Sequence, residues 1–90
     1  MGQINVKIKL MPSAPNVNLK EIKEKTKIVI EENEGSNVYF EEEPIAFGLT
    51  AIIVFFIWPE EKELEPLENL LEKIENVSSK QVLDIRKAIG

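Results

Sequence analysis

The chain has 90 residues, of which 43% are hydrophobic and 30% are charged, and its formal net charge is −5. This length and composition predict one folded domain, spanning residues 1–90, with a modest hydrophobic core. The acidic charge argues against nucleic acid as the partner, because binding phosphates requires an excess of Lys and Arg. The sequence contains no Cys and no His, which excludes disulfides, a thiol nucleophile, the usual zinc ligands and catalysis of the Ser-His-Asp type.

The longest apolar run, Leu49–Trp58, is much shorter than the roughly 20 residues that a helix needs to cross a bilayer. No basic and apolar leader opens the chain, so a cytoplasmic location without a membrane partner is expected. The charged residues are mostly Glu and Lys. This bias is typical of hyperthermophile proteins but also of skewed codon usage, and the sequence does not separate the two.

The first predicted strand is Gln3–Leu10, in which every second residue is apolar. This alternation is typical of a strand with one buried face. A loop is predicted over Met11–Val17, because Pro12 and Pro15 interrupt the pattern.

The first predicted helix begins after Asn18, which lies three residues before Glu21 in an arrangement typical of an N-cap. Apolar residues follow at helical spacing, with Lys and Glu between them. The pattern ends near Glu34 and Gly35, where the helix is expected to stop.

Two strands are predicted in the middle of the chain, Val38–Glu42 and Leu49–Trp58, separated by the segment Pro44–Gly48. The second of them is apolar on both faces, which predicts a central position in a sheet. Pro59 ends this strand.

The last predicted elements are a helix over Glu63–Glu75, with Pro66 in its first turn, and a strand over Ser79–Arg86. This strand is expected to place Gln81, Leu83 and Ile85 on one side. The order β-α-β-β-α-β predicts an α+β fold of the ferredoxin-like type, with a four-stranded antiparallel sheet and both helices on one of its faces.

Catalytic and metal sites are not expected. The acidic clusters Glu41–Glu43 and Glu60–Glu61 stand next to turns, where a solvated rim is the usual explanation. No spaced calcium loop is present, and the four Gly residues are isolated, so no glycine-rich phosphate cradle exists. We therefore predict a protein that is not an enzyme and has no cofactor and no bound metal.

The segment between the two middle strands is unusually apolar for a hairpin connection, which normally consists of Asn, Asp, Gly and Ser. Its residues are Pro44, Ile45, Ala46, Phe47 and Gly48. One interpretation is that Phe47 tucks under a helix. The other is that this segment is a partner-binding site, because an aromatic anchor with a charged rim is typical of interface hot spots.

Four segments together resemble the archaeal translation elongation factor 1-beta family, a short relative of the guanine-nucleotide-exchange domain of the eukaryotic factor. They are Met1–Gly2, which leads directly into the first strand, Lys9–Pro12, Glu42–Leu49 and Val82–Lys87. The resemblance implies a ferredoxin-like domain that binds the GTPase elongation factor 1-alpha and promotes GDP release and GTP rebinding. It also implies that Pro44–Gly48 docks on the second domain of the GTPase.

The C-terminal end of the last strand, by the same resemblance, disturbs the magnesium and phosphate site of the nucleotide. Arg86 and Lys87 are the two candidates there, and the sequence does not choose between them. In the predicted fold these residues lie at the end of the sheet opposite to Pro44–Gly48. A strand of about eight residues separates the two ends by about 25 Å.

Two alternatives remain open on the same fold. An RNA-binding or small-ligand regulatory module would use the open face of the sheet, where Phe55, Phe56 and Trp58 could supply stacking surface. A structural adaptor would bind the same partner without changing its nucleotide kinetics.

Overall fold

The computed structural model describes residues 2–88. The elements in chain order are β1 (Gln3–Pro12), α1 (Leu19–Glu32), β2 (Ser36–Pro44), a short turn (Ala46–Gly48), β3 (Thr50–Pro59), α2 (Glu65–Glu72) and β4 (Val77–Lys87). The four strands form one antiparallel sheet in the order β2-β3-β1-β4. The predicted ferredoxin-like α+β fold is confirmed, and β3 has the central position that its apolar sequence predicted.

The core lies between one face of the sheet and the two helices. The alternating apolar residues of β1 contribute Val6, Ile8 and Leu10, and they form one cluster with Ile22 of α1 and Leu67 of α2. Since both helices pack on this cluster, they cover the same face of the sheet. The other face carries no helix in the described part of the chain, and we call it the open face.

Helix α1 begins as predicted, because the side chain of Asn18 accepts a hydrogen bond of 3.1 Å from the backbone N–H of Glu21. Its C-terminus is closed by bonds from Glu34 to the carbonyl of Glu31 and from Gly35 to that of Ile30. This is the Schellman pattern, with the left-handed position held by Glu34 (φ 77°). Gly35 follows because a Cβ there would lie 2.3 Å from the side chain of Ile30.

Several element bounds differ from those predicted. Strand β1 extends to Pro12, which pairs with Val77 at the end of the ladder, where a missing N–H costs little. Strand β2 is longer at both ends than predicted, because its pairing with β3 continues from Ser36, opposite Ile57, to Pro44, opposite Thr50. Helix α2 is shorter, Glu65–Glu72, and Pro66 lies in its first turn as expected.

A β-bulge in β4 overturns the prediction that Gln81, Leu83 and Ile85 share one side. Val82 lies opposite Ile8 but Asp84 lies opposite Lys7, so Leu83 is an extra residue without a partner on β1. The bulge inverts the alternation, since one added residue turns every following side chain to the other face. Gln81 therefore lies on the open face, whereas Ile85 lies on the helix side, opposite Val6.

Thr26 of α1 is fully buried, and its hydroxyl has no hydrogen-bond partner in the described part of the chain. An unsatisfied buried hydroxyl costs about 1–3 kcal/mol. We expect Thr26→Val to keep the shape and raise the free energy of unfolding by about 1 kcal/mol, or the melting temperature by about 4–8 °C. The matched variant Thr26→Ser keeps the hydroxyl, loses a methyl group and should be destabilised. A thermal melt of Thr26→Val at or below the wild-type temperature would contradict this expectation.

Candidate functional site

The connection between β2 and β3 is a tight turn with its aromatic side chain in solvent. The backbone N–H of Leu49 donates to the carbonyl of Ala46 (3.3 Å), and that of Ile45 donates to the carbonyl of Leu49 (2.8 Å). Phe47 and Gly48 occupy the two central positions, with φ of 64° and 77°. Positive φ at both central residues is the signature of a type I′ hairpin turn.

Phe47 has 93% of its surface exposed. The interpretation in which Phe47 tucks under a helix is therefore wrong. A left-handed backbone costs a bulky residue about 1–2 kcal/mol, and type I′ turns favour Asn, Asp or Gly at this position. Neither local backbone preference nor burial within residues 2–88 explains Phe at this position.

At the opposite end of the sheet, Arg86 and Lys87 point to different sides of β4. Arg86 lies opposite Asn5 on the open face, and Lys87 lies opposite Ile4 on the helix side. The guanidinium Nε of Arg86 is 2.7 Å from a carboxylate oxygen of Asp84. The ammonium of Lys87 is 3.7 Å from Glu60. Both side chains are about four-fifths exposed, at 80% and 78%, so these ion pairs are surface pairs.

The two candidate sites lie far apart on one sheet. Arg86 lies opposite Asn5 of β1. The Pro44–Gly48 turn begins opposite Thr50, which is two positions from Ile52, the partner of Leu10, and is therefore level with position 12 of β1. Seven residue steps along β1 separate these levels, which corresponds to about 24 Å. The sites cannot touch one small group together, but they can reach two parts of a large partner.

The open face carries an aromatic pair that the sequence did not single out as a pair. The rings of Tyr39 and Phe55 are stacked, with centroids 4.5 Å apart, and the ammonium of Lys7 lies 5.4 Å from the centroid of Phe55. Phe56 and Trp58, the other aromatic residues considered for this face, are buried in the core. The sequence feature that could have indicated the pair is the alternation in β2. It places Tyr39 on the same face as the charged residues Glu41 and Glu43, which is the face turned away from the core.

Within residues 2–88, no three carboxylates are grouped closely enough to hold a metal ion. Among the same residues, no helix has both the length and the apolar composition to span a membrane.

The chain matches the family described as "EF-1 guanine nucleotide exchange domain" over residues 5–88. It is 43% identical to elongation factor 1-beta of Methanosarcina barkeri, over 94% of this chain and 97% of the relative. The elongation factor 1-beta of Methanocaldococcus jannaschii is 40% identical, over 98% and 100% of the two chains.

A solved structure similar to this chain is the 30S ribosomal protein S6 of Thermotoga maritima. The TM-score is 0.64 at 21% identity, over 98% of this chain and 89% of that one, which shows the fold alone. The family match and the archaeal relatives go further and confirm the resemblance. The chain therefore belongs to the EF-1 guanine nucleotide exchange domain family, and guanine nucleotide exchange is its function.

Proposed function

We propose that residues 1–90 act as one exchange domain that binds the GTPase elongation factor 1-alpha in the cytoplasm. Binding speeds the release of GDP, so that GTP can rebind, and the chain itself makes and breaks no covalent bond. Membership of the exchange family supports this proposal. The structural observation that carries it is the pair of exposed sites at opposite ends of one sheet, the Phe47 turn and the Arg86–Lys87 end.

Exchange requires that the chain and the nucleotide weaken each other on the GTPase. The coupling free energy between two binding sites is reciprocal, so a protein that lowers the affinity for GDP must itself bind less tightly when GDP is present. A rigid sheet with two separated contacts suits this task. One end can hold the partner while the other end favours a nucleotide-free arrangement.

The docking end in this proposal is the turn Pro44–Gly48. Phe47 offers an exposed ring on a backbone that is held by the hydrogen bonds of the turn, so little backbone freedom is lost when the ring is buried. Gly48 faces Pro15 of the loop between β1 and α1, because a Cβ on Gly48 would lie 3.8 Å from that proline. An exposed aromatic ring on a supported turn is well placed to fill a pocket of the GTPase.

The disturbing end is Arg86 and Lys87. A cation that approaches the magnesium and phosphate site competes for the anionic groups that hold the metal. The partners Asp84 and Glu60 hold the two cations only as exposed ion pairs, which contribute about 0–1 kcal/mol and are readily exchanged for a stronger anion. Because the two cations lie on opposite sides of β4, a single narrow pocket would admit only one of them.

The test is the release of a fluorescent GDP analogue from elongation factor 1-alpha after mixing with excess unlabelled nucleotide. We expect the chain to accelerate release in a saturable way. Binding to the GTPase without any acceleration at saturation would identify an adaptor instead and overturn the proposal. So would the absence of binding.

Arg86→Ala and Lys87→Ala, tested singly, should separate the two cations. The variant that removes the disturbing cation should lower the maximal release rate about tenfold or more and change the affinity for the nucleotide-free GTPase less. The control is Lys27→Ala, which removes one positive charge from the exposed surface of α1. If neither variant lowers the maximal rate, this end of the sheet is not the disturbing site.

A further inference from the structure

The open face contains a concavity of about 420 Å³ at the Arg86 end. We call it the open-face groove and define it by six of the residues that line it: Lys7, Tyr39, Phe55, Ile57, Asp84 and Arg86. Its volume is within the range of sites that bind small molecules or anchor side chains. The Pro44–Gly48 turn does not line the groove, so the docking contact proposed above does not account for it.

Two bulges in the edge strands shape the groove. In β2, Ser36 pairs with Ile57 and Tyr39 pairs with Phe55, so one extra residue lies between them, and Asn37 there has a positive φ of 53°. In β4, the extra residue Leu83 turns Arg86 to the open face. Bulges at sheet edges often re-aim side chains next to functional sites.

Without the bulge in β4, the pairing upstream of it would place Asp84 opposite Val6 and Arg86 opposite Ile4, on the helix side. The extra residue instead brings Asp84 opposite Lys7 and Arg86 opposite Asn5. The bulge therefore brings the guanidinium of Arg86 and the carboxylate of Asp84 to the face that carries Lys7 and the stacked rings of Tyr39 and Phe55.

The charges of the groove favour an acidic occupant. Lys7 forms no ion pair with a carboxylate in the described part of the chain, and its ammonium instead lies over the ring of Phe55. Arg86 is paired with Asp84, so the three charged groups together leave one net positive charge. The chain as a whole has a net charge of −5, whereas this cleft is locally positive, and a positive cleft attracts anions.

The aromatic wall favours an apolar group beside that acidic one. Tyr39 has 56% of its surface exposed although its ring is already ordered by stacking on Phe55. An ordered ring loses little side-chain entropy on binding, and Tyr and Arg are the residue types that most often dominate binding energy at interfaces.

We propose that the open-face groove binds an acidic segment of the partner GTPase, in which a carboxylate side chain lies next to an apolar one. This inference rests on the proposed function, and it adds a third contact to the two described above. Arg86 lines the groove, so the groove is continuous with the Arg86–Lys87 end and faces the same partner. The contact stabilises the complex and tightens binding, while the maximal rate of GDP release depends on it less.

The experiment measures the Kd of nucleotide-free elongation factor 1-alpha for wild type, Tyr39→Ala, Lys7→Gln and Asp84→Asn. We expect the first two variants to weaken binding by about tenfold and threefold, respectively. Asp84→Asn should tighten binding by about threefold, because it removes the negative charge beside Arg86. The effects of Lys7→Gln and Asp84→Asn should shrink at high salt, since both act through exposed charges.

The control variant Lys27→Gln loses the same charge as Lys7→Gln but on α1, and it should bind as wild type does. Thermal melts of all variants exclude misfolding. Unchanged affinity of Tyr39→Ala and Lys7→Gln, with wild type still binding and exchanging, would overturn the groove contact alone. If wild type does not bind, the proposed function itself fails.

A second arm titrates the isolated chain with GDP and with inorganic phosphate while amide signals are followed by NMR. We expect no saturable shift at Lys7 or Tyr39. Saturable shifts at these residues would assign the groove to a phosphate group and overturn the acidic-segment proposal.

Discussion

Phe47→Asn is expected to weaken binding to elongation factor 1-alpha by about 30-fold or more, which corresponds to the loss of about 2 kcal/mol at an interface hot spot. The same variant should raise the free energy of unfolding by about 0.5–1 kcal/mol, because Asn-Gly is the preferred pair at the centre of a type I′ turn. Phe47 (φ 64°) and Gly48 (φ 77°) occupy those two positions. Opposite signs for affinity and stability distinguish a binding role from a folding role. Titration of the GTPase and urea unfolding measure the two quantities.

Phe47→Tyr keeps the ring and should bind within about threefold of wild type if the pocket tolerates one added hydroxyl. Ile28→Asn is the matched control, since Ile28 is another exposed apolar residue but lies on α1. It should leave the affinity unchanged. Wild-type affinity of Phe47→Asn would rule out the turn as the docking site, whatever its stability.

Trp58→Ala is expected to lower the free energy of unfolding by about 3–5 kcal/mol, the usual cost of removing a large buried ring. Trp58 is 1% exposed, and its ring meets Phe56 edge-to-face at 6.0 Å. Its indole N–H donates to the carbonyl of Lys62 at 3.0 Å. The ammonium of Lys62 lies 5.2 Å from the ring centroid and also donates to the carbonyl of Asn33 at 2.7 Å. The loop residue Lys62 thus links the ring of Trp58 in β3 to the end of α1.

A chain of this size has a total stability of about 5–13 kcal/mol, so the loss would leave a marginal domain. Because the sequence has one Trp, unfolding of Trp58→Ala must be followed by circular dichroism. Trp58→Phe keeps much of the packing but loses the indole hydrogen bond, and should cost about 1–2 kcal/mol. A loss below about 1 kcal/mol for Trp58→Ala would show that the ring is not a packing centre.

The sequence predicts the sheet and the helices well because their signals are local. The alternation around Ile8 identifies the buried face of β1, and the unbroken apolar run ending at Trp58 identifies a strand in the centre of the sheet. The Asn18 cap also depends only on neighbouring residues. These features follow from the spacing of apolar residues and from the residue types found at helix ends, and the structure has them.

The bulges and the turn geometry could not be predicted in the same way. The segment around Leu83 contains no Gly, Pro or Asn that would signal a break, and its position depends on the register with β1. The type I′ turn was hidden because Phe47 is an unfavourable residue for it. The candidate docking segment was found from that very mismatch, whereas the open-face groove requires knowing which strands are neighbours.

The extra residue Leu83 reverses the face to which each later position of β4 points. Side chains an even number of positions apart point to the same face beyond the bulge, and those an odd number apart point to opposite faces. A relative whose basic residue stands one position earlier or later than Lys87 would therefore present its charge on the other side of the strand. An insertion or deletion of one residue in this strand therefore moves the side chains after it to the opposite face of the sheet. Equivalent cations in the family must be compared by the face on which they lie, and not by their position in an alignment alone.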